Sequence, residues 1–307
     1  MRIFLTGATG FVGSAIVPEL IGAGHQVLGL ARSDAAASSL TTAGADVQRG
    51  SLDDLESLRN GASAADAVIH AGFIHDFANY ATAAETDRRA IEAIGAVLAG
   101  SERAFIVTSG TALAAPGRVA TETDVANSNF PRKSEEAAAS AAAGGARVSV
   151  LRLPPSVHGV GDHGFVPLLI RIAREKGVSA YVGEGLNHWP AVHRFDAAHL
   201  YRLVIEKRPV AARYHAVADE GVVFREIAEV IGRRLNVRVV SKSPQEAADH
   251  FGWFAHFAGL DCPASSERTQ EQLGWYPMKA SLIPDIDQPS YFEATQKTFD
   301  QRGAASK

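Results

Sequence analysis

The segment TGATGFVG, residues 6–13, follows a single apolar tetrapeptide, RIFL, and opens into SAIVPELIGAG. Glycines at 7, 10 and 13 thus lie between a strand pattern and a helix pattern. Without a Cβ they permit a tight turn, a close approach of a pyrophosphate to the backbone, and close packing of helix on strand. The first turn of the helix then offers free N–H groups and the positive end of its dipole to phosphate. The motif predicts a dinucleotide site at the start of a parallel α/β sheet.

The next 150 or so residues agree. Short β-rich runs, RIFL (2–5), QVLGLA (26–31), DVQ (46–48), AVIHA (67–71), AFIVTS (104–109) and VSVLRL (148–153), alternate with Ala-rich segments of helical spacing. Strands joined by crossover helices imply a parallel sheet covered on both faces. After about residue 155 the texture changes. Glycine-rich loops (PPSVHGVGDHG, EGLNHWPAVH) are followed by a strand RYHAV (213–217), a helix FREIAEVIGRRL (224–235) and a strand VRVVS (237–241). Ser265 or Ser266 caps a further helix ending near Gly274, and the tail QRGAASK is expected to fray. The expected architecture is α/β: a doubly wound parallel Rossmann sheet with a smaller α/β C-terminal substrate lobe. Residues 1–155, with 190–218 returning to them, form the dinucleotide domain, and 156–189 with 219–307 form the lobe.

Composition narrows the partners. With a formal net charge of −4 and no basic patch or like-charge run, nothing points to nucleic acid or an anionic membrane. The apolar runs are too short for a bilayer span, and the glycine motif begins too early to leave room for a signal peptide. Cys262 is the single cysteine, so no intrachain disulfide can form. These features predict a cytoplasmic protein acting on a small-molecule substrate, with a homodimer left open.

The spacing Gly-x-x-Gly-x-x-Gly with a leading Thr6 resembles the short-chain dehydrogenase/reductase superfamily. Chain length and lobe resemble its extended and atypical branches, relatives of nucleotide-sugar epimerases and of aldehyde, flavonoid and 3β-hydroxysteroid reductases. The resemblance runs over nearly the whole chain. HAGF (70–73) falls where such proteins line the nicotinamide ribose, and VTSGT (107–111) matches the strand end that carries an active-site serine, Ser109. RLPPSVHG (152–159) resembles the segment bracketing the carboxamide, with Pro155 for a glycine and His158 for a tyrosine. WPAVHRFDAAHLY (189–201) and LGWYP (273–277) resemble the family's later signatures. The resemblance implies a cofactor site made by Thr6, Gly7, Thr9, Gly10, Phe11, Val12, Gly13, Ala71, Gly72, Phe73, Pro154 and Pro155. Ser51 and Leu52 stand where the family usually has Asp-Leu beside the adenine.

Arg32 and Ser33 stand at the end of the second strand, where an acidic residue would bond the ribose hydroxyls and repel a 2′-phosphate. A guanidinium with a neighbouring hydroxyl suits phosphate, so NADP(H) is expected over NAD(H), with Asp34 pointing away.

In the family, a tyrosine exchanges a proton with the substrate oxygen, a lysine four residues on lowers its pKa, and a serine polarises the oxygen. Here NSNFPRKSEEAAAS (127–140) contains no tyrosine: Asn129 precedes Lys133 by four. Pro131 places the helix start near residue 131, with Ser128 or Asn129 as cap, and so keeps Asn129 off the helix face. Ser109, Lys133 and His158 are the expected catalytic residues. His75, His163, Tyr181, His188 or water relayed by Ser109 are other candidate proton sources, while His158, Asp162 and His163 lack a third ligand at metal spacing. The expected activity is NADP(H)-dependent oxidoreduction of a carbonyl, or a related C=N or C=C group. The alternatives are a nucleotide-sugar epimerase or dehydratase, or a non-catalytic NADP(H)-binding sensor.

Overall fold

The computed structural model describes residues 1–115, 117–207 and 213–293. The tail expected to fray lies outside the described residues.

Six strands, β1 (Arg2–Thr6), β2 (Gln26–Ala31), β3 (Asp46–Arg49), β4 (Ala67–His70), β5 (Ala104–Gly110) and β6 (Arg147–Leu153), coincide with the β-rich runs. They alternate with α1 (Gly13–Gly22), α2 (Asp34–Thr42), α3 (Leu55–Ser63), α4 (Tyr80–Leu98) and α5 (Ser134–Ala143). Then come β7 (Ser156–His158), α6 (Phe165–Lys176), β8 (Val178–Val182), β9 (His188–His193), α7 (Arg194–Lys207), β10 (Arg213–His215) and β11 (Asp219–Val223). The chain continues through α8 (Phe224–Leu235), β12 (Arg238–Lys242), α9 (Pro244–Phe251), α10 (Ala255–Ala258), α11 (Glu267–Leu273) and α12 (Leu282–Ile286).

Seven strands form one parallel sheet in the order β10-β6-β5-β4-β1-β2-β3. The inner strands read as unbroken apolar runs because helices cover both faces: α1 and α7 pack together on one, and α3, α4 and α5 on the other. The chain winds outward from β1 to β3, then crosses back to place β4 on the other side of β1. This reversal opens a crevice beyond the C-terminal ends of β1 and β4, where open α/β sheets bind ligands. A second core, containing Trp189, Phe224, Phe251 and Phe254, is built mainly by α6, α8 and α9 with the sheets β11-β9-β7 and β12-β8. No described helix is long and apolar enough to cross a membrane.

Two expectations need correction. The helix after Pro131 starts at Ser134, with Lys133 at its cap position; residues 127–130 before it form a turn in which Phe130 N–H donates to the Asn127 carbonyl and Asn129 N–H to Asn127 Oδ1. The C-terminal stretch also does not stay wholly with the lobe. Leu273 and Trp275 pack in the sheet core beside α7, and Trp275 Nε1 donates to the Asp196 carbonyl.

α5 is pinned to the sheet by a buried ion pair. Arg152 on β6 is fully buried and donates from Nε and a terminal nitrogen to the two Glu135 oxygens at 2.7 and 2.8 Å. Burial opposes ionisation of Glu135, but the Arg152 hydrogen bond and charge outweigh it and hold the carboxyl below its ordinary range. Glu135→Ala would leave Arg152 charged and unpaired, a loss of about 3–5 kcal/mol in urea denaturation. A carboxyl with a depressed folded pKa stabilises the fold above its unfolded pKa, and that contribution is lost as pH falls through the folded value. The stability difference between wild type and Glu135→Ala is therefore expected to shrink in acid; a constant difference down to about pH 3 would remove the charge pairing as its cause.

Candidate active site

The glycine loop and β4 meet backbone to backbone at the crevice. Gly7 has φ +69°, and a Cβ on it would lie 2.7 Å from Gly72 N and Cα. A Cβ on Gly13 would lie 2.0 Å from the Gly7 carbonyl oxygen, so the turn closes only without side chains there. Gly10 differs: its Cβ would meet only Gly7 O, at 3.1 Å, and would otherwise face the cleft. The N–H groups of Phe11 and Val12, just before α1, make no backbone hydrogen bond among the described residues. This is a cradle a phosphate fits and a Cβ would fill.

A cleft of about 1570 Å³ runs from this loop across the strand ends to the lobe. Single small-molecule sites occupy roughly 300–1,000 Å³, so a dinucleotide and a substrate fit together. Gly7, Thr9, Gly10, Phe11, Val12, Gly13, Arg32, Ser51 and Leu52 line one end. Ala71, Gly72, Phe73, Ser109, Pro154 and Pro155 line the middle.

Behind the middle wall runs a buried polar chain. Gly72 N–H donates to Thr6 Oγ1 (3.1 Å), whose hydroxyl pairs with His70 Nδ1 (2.9 Å). His70 Nε2 is 3.1 Å from Asp87 Oδ1, and Ser134 Oγ donates to Asp87 Oδ2 at 2.5 Å. Arg132 Nε donates to Ser134 Oγ (2.8 Å), and a terminal nitrogen donates to the Thr108 carbonyl (2.9 Å). Burial disfavours the charged form of Asp87, yet the His70 hydrogen bond and the Arg132 charge hold its carboxyl below the ordinary value. The chain thereby fixes the Arg132 guanidinium on the cleft wall, 4.2 Å over the Phe73 ring.

This combination of a doubly wound sheet, a glycine cradle at its reversal point and a cleft shared with a second lobe agrees with the sequence match. Residues 3–217 match the NAD dependent epimerase/dehydratase family. The chain belongs to that family. An uncharacterized protein of Schizosaccharomyces pombe is 50% identical over 95% of this chain and 100% of its own length. A farnesyl-dihydroquinoline-oxide ketoreductase of Stigmatella aurantiaca is 26% identical over 82% of this chain and 80% of its own. Among solved structures, a dTDP-glucose 4,6-dehydratase from Streptomyces venezuelae with NAD bound superposes with a TM-score of 0.77 at 18% identity. That likeness covers 97% of this chain and 98% of the other and shows the shared fold.

For a member of this family, several expected site residues lie elsewhere. Thr6 is buried behind the loop in the polar chain, and Ser33 Oγ caps α2 by accepting from Ala36 N–H. The Lys133 ammonium is spent on the Ser128 carbonyl and on Glu136, and Lys133 does not line the cleft. His158 is fully buried, with Nδ1 2.8 Å from Asp285 Oδ2. Of the other candidate proton sources, His75 and His163 line the cleft, while Tyr181 and His188 do not. Burial, with Arg132 second, depresses the His75 pKa below that of a free imidazole.

Of the cleft residues that escaped the sequence reading, two stand out. One is Arg132, adjacent to the expected lysine. The other is Tyr80 at the start of α4, whose ring lies 5.8 Å from that of Phe73 and 6.0 Å from that of Phe130. Neither stands in a family motif, and only the packing of α4 against α5 brings them together.

Gly10→Val is expected to abolish binding of NADH and NADPH alike while leaving cooperative unfolding intact, because its side chain points into the cleft and not into the turn. Isothermal titration of the folded variant checks this. Retained affinity would reduce the glycine motif to a turn.

Proposed function

We propose that the protein is an NADP(H)-dependent oxidoreductase that reduces a carbonyl, or a related C=N or C=C group, of a small molecule. The observation that carries this reading is that two hydroxyl-bearing residues, Ser109 and Tyr80, line the cleft together with Arg132. The Ser109 hydroxyl is buried and has no aligned hydrogen bond among the described residues, although it is close enough to Glu135 to help keep that carboxyl ionised. The Tyr80 phenol lies partly buried near Arg132 and Asp87, with no hydrogen bond among the described residues. Burial, against the pull of Arg132, raises the phenol pKa and keeps it protonated at neutral pH.

NADPH, when bound, would supply the hydride. The chain's own residues then have three tasks. Ser109 donates a hydrogen bond to the substrate oxygen as negative charge develops there. Tyr80 gives that oxygen its proton. Arg132 stabilises the phenolate left behind. Lys133 and His158, expected to share this work, are committed to other partners.

The choice of NADPH rests on Arg32. It lines the cleft and is exposed, without an ion-pair partner among the described residues, whereas Asp34 is paired with Arg49 and turned away. The 26%-identical relative named as a ketoreductase supports reduction of a carbonyl. An epimerase or dehydratase would regenerate its cofactor, so stoichiometric loss of NADPH absorbance with a carbonyl panel separates the readings.

Arg32→Ala is expected to weaken NADPH at least about tenfold and to leave NADH nearly unchanged, the loss of one charge-assisted contact of roughly 1.5–3 kcal/mol. Equal losses for both cofactors would overturn the assignment. Tyr80→Phe and Ser109→Ala should each lower kcat at least about tenfold with NADPH affinity kept, as removal of one preorganised donor does. Asn129→Tyr should bring no gain, because Asn129 lies in the entry turn and not on α5. Single-turnover kinetics decides: full activity without either hydroxyl, or a strong gain from Asn129→Tyr, sinks the mechanism.

A further inference from the structure

The part of the cleft beyond Tyr80 and Phe73 is walled by aromatic rings from both halves of the molecule. Phe77, in the loop before α4, stacks on Trp253 of the lobe at 4.3 Å and 17°. The Phe77 ring also stands 6.0 Å from the rings of Tyr80 and Phe165 and 6.2 Å from that of Phe257. All five rings line the cleft. Trp253 is covered on one side by Phe77, yet it remains 51% exposed, whereas Trp189 and Trp275 are fully buried. A large ring left open on a concave wall offers a flat apolar surface that water covers poorly.

The charges of this end disfavour an anion. Arg132 is held by Ser134 and the Thr108 carbonyl, and Arg171 already has a partner within the chain. Asp76 also lines the cleft; its carboxylate accepts from Asn79 and the Ala78 N–H, and these bonds hold its pKa down. A diphosphate placed there would meet this carboxylate. A hydroxyl for a neutral oxygen, that of Ser109, lies at the C-terminal end of β5, where the cleft meets the sheet.

We propose that the outer half of the cleft is a stacking site for flat, uncharged aromatic or conjugated carbonyl compounds, oriented with the oxygen inward and the ring against Trp253 and Phe77. The proposal rests on the reductase reading for its reaction, but binding can be tested without turnover.

Tryptophan-emission titrations, corrected for absorption, and steady-state kinetics would compare 2-naphthaldehyde, hexanal and UDP-glucose on wild type, Trp253→Ala and Trp253→Phe. The wild type is expected to bind 2-naphthaldehyde at least about tenfold more tightly than hexanal and to show no saturable response to UDP-glucose. Trp253→Ala should raise KM for 2-naphthaldehyde roughly fivefold, the size of one stacking contact, with kcat and the KM for hexanal nearly unchanged. Trp253→Phe should restore most of that loss, which separates stacking from a general structural role. Equal affinities for the two aldehydes, no effect of Trp253→Ala on naphthaldehyde, or tight binding of UDP-glucose would overturn the proposal. If 2-naphthaldehyde binds through Trp253 but no carbonyl in the panel consumes NADPH, the reductase reading fails and the stacking site stands. If both aldehydes are reduced alike and Trp253 is indifferent, the stacking site fails and the reductase reading stands.

Discussion

An ionised carboxylate on the buried face of α4 governs the arrangement of this site. Asp87 is 1% exposed and carries a depressed pKa despite its burial. A charge taken out of water costs several kcal/mol unless it is paired and hydrogen-bonded. His70 on β4, Ser134 at the start of α5 and, through Ser134, Arg132 supply that pairing. Each partner comes from a different element, so satisfying one carboxylate fixes α4, α5 and the sheet in a single register. The same bonds carry the guanidinium of Arg132 to the strand ends.

The cleft follows from two packing constraints. The sheet reverses its winding between β1 and β4, and the crevice there closes only because Gly7 and Gly72 bring their backbones into contact. The lobe has its own aromatic core and contributes Phe165, Trp253 and Phe257 to the opposite wall. One side is therefore rigid backbone suited to phosphates, and the other is a face of rings. Such a division suits a protein that holds a shared type of cofactor and selects its own substrate.

Much of the fold was legible in the chain because its signals are local. Strands buried on both faces must be apolar throughout, so RIFL, AVIH and AFIVTS announced themselves, and the three glycines marked the turn between β1 and α1. The glycine-loop end of the cleft could be read for the same reason: Gly7, Gly10, Gly13 and Arg32 lie within one βαβ unit, and all four line the cleft. Leu273 and Trp275 were misassigned to the lobe, since which core receives an apolar residue depends on the route of the chain and not on the residue.

The rest of the cleft depended on tertiary structure. Sequence spacing singled out Lys133, but spacing cannot say which of two adjacent cations turns inward. The Thr108 carbonyl and the Asp87–Ser134 pair draw in Arg132, while Lys133 finds Ser128 and Glu136 at the surface. Tyr80, about fifty residues upstream, reaches the same cleft only because α4 packs on α5. The sequence by itself determined the sheet, the glycine cradle and the residues at that end of the cleft, because periodicity and backbone sterics act over short stretches. Only the tertiary structure decided which cation and which phenol line the cleft, because a buried carboxylate takes its partners from wherever the folded chain places them.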